Sequence, residues 1–453
     1  MIILIGFHSC KKNVNPELTI NGIWNSMGYG QQVHINDSLV VVYDIYKNGC
    51  ALNSELPKEY FSQYFEVKEL ISDSLKLGLG FTDYHFVRSK SLCKTSEQYT
   101  INKNPLVNFD ALWHTFNENY ASFELRGVDW QKSKEKFRAK LTPESTDLEL
   151  YKVLTEMLSE LNDGHVSLDI PDSLENDIDE EEDDAVDELR ELTINTINKR
   201  YLDDFKTYNK GIINWGIIDK NIGYIQINDF EDLANYNIDQ NLQEEEFWDT
   251  YWEYAEKSEN YSQDAINGIK TILLAIFNDI ENTRSCIIDV RFNGGGFDQA
   301  GLEVLSYFTD AKTIAFSKKA RFKDGFTKPQ SIYIETNIQY YDKPIYVLTS
   351  YQTASASETF ILATRNLINV KTIGSNTEGI LSDILSKRLP NGWEYGLSNE
   401  VYESADGINY EKDGIPTDYH INYNRNPEDF YNNLLLELKT QDKVIEKVIQ
   451  LKN

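Results

Sequence analysis

One short stretch near the middle of the chain limits the possible folds more than any other. Cys286-Ile287-Ile288-Asp289-Val290 is a continuous apolar run with a single acid, and it breaks into Arg291-Phe292-Asn293-Gly294-Gly295-Gly296. A run this short and this apolar, bounded by a glycine turn, reads as a buried strand. Ile222-Gly223-Tyr224-Ile225-Gln226-Ile227 and Ile345-Tyr346-Val347-Leu348 repeat the pattern. Between the first two, Ile266, Ile269, Leu273, Ile276 and Ile280 fall on one face of a helix predicted over 262–283. Alternating strands and helices of this kind argue for an α/β core, here over residues 212–440.

The rest of the chain divides by pattern. Residues 13–100 form a small β-rich accessory domain: Leu39-Val40-Val41-Val42-Tyr43 is strand-like, and Leu75, Leu77, Leu79 and Phe81 alternate as on a half-buried strand. Residues 104–170 turn helical, with Leu150, Val153, Leu154, Met157, Leu158 and Leu161 on one face and Ser145 or Thr146 as N-cap. Residues 171–211 are expected to be a solvated acidic loop, because the run Glu180-Glu181-Glu182-Asp183-Asp184 cannot pack against itself. The aromatics of 244–256 sit at helical spacing and are expected to pack within the fold.

Net charge is -29, which opposes binding to phosphates and excludes nucleic acid as a partner. The four cysteines form no CxxC pair, which leaves a zinc ribbon unsupported. Cys286 reads as a core thiol, while Cys50 and Cys93 can bridge only if their geometry and compartment allow it. The start, Met1 to Cys10, is a short apolar run ending in Ser-Cys before two lysines. It resembles the end of a bacterial lipoprotein signal, so residues 1–12 are expected to be a signal remnant and anchor with Cys10 lipidated. That places the chain in the cell envelope, held at a membrane through its lipid.

Three segments carry chemistry: Asn162-Asp163-Gly164-His165, Asp289-Val290-Arg291-Phe292-Asn293-Gly294-Gly295-Gly296, and Ser355-Ala356-Ser357-Glu358. Ser355 follows an apolar strand and opens a helix, where free backbone N–H groups favour developing negative charge. A serine in such a loop is often only a cap. The glycine turn lacks the third glycine of a dinucleotide fingerprint, because position 299 is Gln299, and no phosphate-loop lysine follows. Of six histidines, His165 and His420 fall in or beside this region.

In this order the three segments resemble peptidase family S41, the tail-specific, tricorn-core and interphotoreceptor-retinoid-binding-protein-like group. Tyr410-Glu411-Lys412-Asp413-Gly414-Ile415-Pro416 resembles the family's C-terminal element, with the proline one position early. The resemblance covers about residues 104–424 and implies a ClpP/crotonase-like α/β catalytic core with a helical N-terminal subdomain. It also implies a serine endopeptidase acting on peptides or proteins through an acyl-enzyme, with no cofactor and no metal. The family's serine–lysine style needs a lysine 25 residues beyond the serine, where this chain has Ile380. The other style, similar to the tricorn core, implies Ser355 as nucleophile, His165 as base and Glu411 as its orienting acid. The backbone N–H groups of Ala356 and Gly295 are then the oxyanion donors. The serine that precedes the histidine in the tricorn pattern is replaced by Gly164. About 45 residues between Pro171 and Trp215 are too few for the family's PDZ insertion. The rival expectation is a non-catalytic ligand- or peptide-binding lipoprotein on the same fold.

Overall fold

The computed structural model describes residues 19–47, 49–93, 101–171, 174, 178, 184–202 and 204–452. Cys10 and the run Glu180–Asp183 lie outside the described residues. An antiparallel seven-stranded sheet comes first, in the spatial order Gly49–Pro57, Leu39–Tyr46, Gln31–Ile35, Gly22–Ser26, Thr82–Ser89, Ser74–Leu79, Glu66–Ile71. The alternation read at Leu75 and Leu77 holds: both side chains are buried with Trp24, Val33, Val40, Phe61 and Phe86. Cys50 and Cys93 form a disulfide, their Cα atoms 6.3 Å apart.

This sheet is docked on the rest of the molecule by polar contacts. Lys387, wholly buried, reaches Asp44 at 3.0 Å and the carbonyl of Gly30 at 2.8 Å. The Arg388 N–H donates to Asp44 at 2.8 Å, and Asn399 donates to the Gly28 carbonyl at 2.9 Å. Buried polar groups must be matched, so these pairs fix how the sheet sits.

Pro105–Asn119, Trp130–Arg138 and Asp147–Ser159 pack around Phe109, Leu112, Phe116, Leu150, Leu154 and Met157. Thr146, one of the two expected caps, forms a capping box with Glu149. The expectation of an acidic loop over 171–211 fails in its second half. Asp184–Tyr201 is a helix, and Lys206–Tyr208 is a strand. Charge density misled there: Ile194 and Ile197 lie on one helical face and bury against Tyr224, Leu348, Phe430 and Leu434.

The α/β core carries a second seven-stranded sheet, ordered Tyr419–His420, Val370–Gly374, Ile345–Thr349, Ser285–Asp289, Ile222–Ile227, Ile213–Ile218, Lys206–Tyr208. The five strands from 419–420 through 222–227 are parallel. Ser285–Asp289 and Ile222–Ile227 are buried at every residue, as covered parallel strands require. The expected helix is Tyr261–Ile280, capped by Asn260. Glu244–Glu256 is also helical; Phe247 and Tyr251 are buried and Trp252 and Tyr254 exposed. Cys286 is a free, buried thiol. No described helix is long and apolar enough to cross a membrane.

Candidate active site

The adjacent parallel strands Ser285–Asp289 and Ile345–Thr349 end side by side, and both motifs leave from their carboxyl ends. This is where ligands bind in open α/β sheets. The glycine turn is held first by Arg291, which is wholly buried. Its guanidinium bridges Asp289 at 2.9 and 2.6 Å and Asp442 at 2.8 Å. Leaving out either partner would strand a buried charge, so the Asp-x-Arg of this motif is a structural anchor. The serine loop is then stitched to the turn. The Ser350 hydroxyl donates to the Arg291 carbonyl at 2.5 Å, the Thr353 hydroxyl to Val290 at 2.8 Å, and the Ala354 N–H to Asn293 at 3.2 Å.

Ser355 emerges from this frame as the N-cap of Ala356–Thr364, with φ 52° and ψ -123°. A non-glycine residue in that region is strained, and surrounding structure must hold it there. It is the sharp strand-to-helix turn that presents a side-chain oxygen. Gly295, with φ +133°, packs on it: a Cβ at 295 would lie 2.7 Å from the Ser355 Cβ and 3.2 Å from its Oγ. Only glycine fits here. Among the described residues, the Ala356 N–H makes no hydrogen bond, as expected at the first turn of a helix. The Gly295 N–H, expected to be the second donor, is instead engaged by the Asn293 side-chain oxygen at 2.9 Å. The next amide in the turn, Gly296, makes no hydrogen bond among the described residues.

His165 lies in the turn between Asp147–Ser159 and Ser167–Leu168 and is 6% exposed. Its Nδ1 meets the Ser382 carbonyl at 2.5 Å. A carbonyl can only accept, so Nδ1 carries the proton and Nε2 keeps its lone pair. Burial holds the imidazole below its ordinary pKa, outweighing the pull of Asp163 in the other direction. Glu411 makes no hydrogen bond or ion pair with this ring. Its carboxylate takes the Arg126 guanidinium at 2.7 Å and the Leu381 N–H at 2.8 Å. Burial, with the nearby Asp163, pushes it up to about 7. No hydrogen bond joins Ser355 to His165.

One segment ties these pieces together. Glu378 N–H donates to the Thr353 carbonyl at 3.0 Å, beside Ser355. The Thr377 hydroxyl and the N–H groups of Gly379 and Ile380 all donate to Glu358, at 2.6, 2.8 and 2.7 Å. Leu381 then holds Glu411, and Ser382 holds His165. Residues 377–382 thus join the serine helix, the acid and the imidazole. Burial pushes the Glu358 carboxyl up to about 8 against the three bonds that favour its anion.

The sequence reading missed Arg126 and Ser382. Arg126 bridges Asp163 at 3.3 Å and Glu411 at 2.7 Å, and its side chain is 4% exposed. Asp163 also takes the Tyr120 hydroxyl at 2.7 Å and the His165 N–H at 3.1 Å. Nothing in Phe-Glu-Leu-Arg-Gly marked this arginine. The two departures from family pattern meet in space: a Cβ at Gly164 would lie 3.2 Å from the Ile380 Cδ1. Both line a cavity of about 520 Å³ with Arg126, Glu378, Lys412 and Arg425.

Residues 221–421 match the model of Peptidase family S41, and residues 102–159 match that of the Tricorn protease C1 domain. Both matches support an S41 family peptidase. The chain is similar in fold to a candidate peptidase from Parabacteroides merdae ATCC 43184. That likeness has 23% identity, covers 77% of this chain and 97% of that one, and has a TM-score of 0.57. It is also similar to mature CPAF complexed with lactacystin, at 12% identity over 77% of this chain and 99% of that one, with a TM-score of 0.52. Family and fold together support a peptidase function.

Proposed function

We propose that this chain is a serine endopeptidase that hydrolyses peptide bonds through an acyl-enzyme on Ser355. The observation that carries this reading is the strained Ser355 at the head of its helix, packed on Gly295. Ser355 Oγ attacks the peptide carbonyl and its proton passes to His165 Nε2. The C–N bond then breaks, with His165 returning that proton to the leaving amine. Water repeats the sequence on the ester and restores Ser355. The Ser382 carbonyl keeps the imidazole in the accepting tautomer and steadies its cation. Glu411 acts one residue away, by holding Leu381 in place. The N–H groups of Ala356 and Gly296 face the oxyanion, a type of contact worth about 10²- to 10³-fold in rate each.

The disulfide favours an oxidising compartment, which suits a lipid anchor at Cys10 and a place in the bacterial cell envelope.

The test is labelling by a serine-directed fluorophosphonate, with peptide hydrolysis followed in parallel. The native chain should label and Ser355→Ala should not. Equal labelling of both, or of neither, would favour a binding protein on the same fold. Because burial lowers the His165 pKa, the free base persists below pH ~6.5, its ordinary value. Therefore the acid limb of kcat/KM should be centred below pH ~6.5. A limb centred above ~6.5 would exclude His165 as the base.

A further inference from the structure

The peptide chemistry leaves a second cavity unused, between the N-terminal sheet and the core. It holds about 300 Å³ and opens to solvent. That is at the lower end of the range of small-ligand pockets. The N-terminal domain supplies Val42, Leu56, Phe61, Phe65 and Leu79 to its wall, and the core supplies Asp383, Ile384 and Glu400. Apolar surface facing water in this way gains from being covered by an apolar group.

The polar end is unbalanced. Lys318, 3% exposed, sits 3.2 Å from Asp383 and 3.0 Å from Glu400, so one ammonium faces two carboxylates. Glu400 is buried and well bonded: Tyr29 donates to one oxygen at 2.6 Å and Tyr402 to the other at 3.3 Å. Asp383 is different, with its side chain 52% exposed. Asp298, with one buried oxygen unpartnered, lies close enough to Asp383 that burial, together with that carboxylate, pushes it up to about 7. A cation at Asp383 would complete the balance, and an anion would be repelled. Asp383 also directly follows Ser382, the residue that anchors His165.

We propose that this cavity binds an apolar group carrying one positive charge, with its body among Leu56, Phe65 and Leu79 and its ammonium on Asp383. Such a group can come from a free alkylamine or from the amino-terminal apolar residue of a peptide.

Titration calorimetry on the full chain tests this with octylamine, octanoate and phenylalanyl-leucinamide, at ~0.15 M salt to screen the acidic surface. Octylamine should bind one-to-one, at least ~10-fold tighter than octanoate. Asp383→Asn should remove most of that preference, and Leu79→Trp, which fills the cavity, should weaken octylamine at least ~10-fold. Binding of the dipeptide amide as well supports a peptide as the source, whereas octylamine alone supports a free amine. Equal affinity for octylamine and octanoate, or octylamine binding unchanged in Leu79→Trp, would overturn the proposal. None of these readouts depends on hydrolysis, so the site stands or falls separately from the peptidase reading.

Discussion

The Ser355 side of the candidate site is made from two turns that leave neighbouring strands, whereas its His165 side is assembled from four segments that share no strand. On the first side, the register between Asp289 and Leu348 places the glycine turn beside the serine loop before any side chain is considered. Backbone-directed bonds from Ser350, Thr353 and Ala354 then finish the geometry. On the second side, residues near 126, 163–165, 377–382 and 411 converge, and Arg126 lies between Asp163 and Glu411 with all three side chains nearly buried. Sheet register can build a turn to fine tolerance at little cost. Joining remote loops takes buried ions, whose pairing must be complete to be stable.

This contrast can be broken most sharply at Arg126. Arg126→Met leaves two buried carboxylates without their cation and should cost about 3–5 kcal/mol of stability. Urea unfolding of the two proteins measures it. A loss below ~1 kcal/mol, the scale of an exposed pair, would mean that charge does not hold the His165 side.

Gly295→Ala probes the backbone-built side. The new Cβ at 2.7 Å from the Ser355 Cβ must displace the Ser355 side chain. A misplacement of this size should lower kcat/KM by about 10²-fold. An unchanged rate with a small peptide ester would show that the serine has room to spare.

The smallest expected effect is at Glu411. Where an acid orients the catalytic imidazole directly, the carboxylate-to-amide change costs ~10⁴-fold in kcat. Here the ring rests on the Ser382 carbonyl, so Glu411→Gln should lower kcat by only about 10-fold. A loss near 10⁴-fold would show that Glu411 turns onto the imidazole during catalysis.

The same division governs what could be read from the chain. Ser355, the glycine turn and the strands that carry them were legible because local pattern encodes them: an apolar run, a small-residue break, then helical spacing. His165 was legible as a motif, but its partner was assigned to Glu411. Its actual partner is a backbone carbonyl, which every residue has and no sequence can mark. Gly295, the expected oxyanion donor, was misleading for a related reason: the Asn293 side chain takes up its N–H, a local bond whose direction depends on turn geometry, and Gly296 is therefore the donor we propose. The helix at 184–201 was hidden because its acidic flank outweighed Ile194 and Ile197 by composition, although burial is decided by one face alone.

By itself the sequence determined the buried strands, the helical faces, the collinear motifs and the loss of the family lysine at Ile380. These depend on residues close together in the chain, where spacing alone selects the conformation. The tertiary structure decided that Arg126 joins Asp163 to Glu411, that Ile380 fills the space beside Gly164, and that Lys318 faces two carboxylates at the domain junction. Those contacts link residues tens to hundreds of positions apart. Their energies arise only once folding has excluded water and brought the charges within a few ångströms.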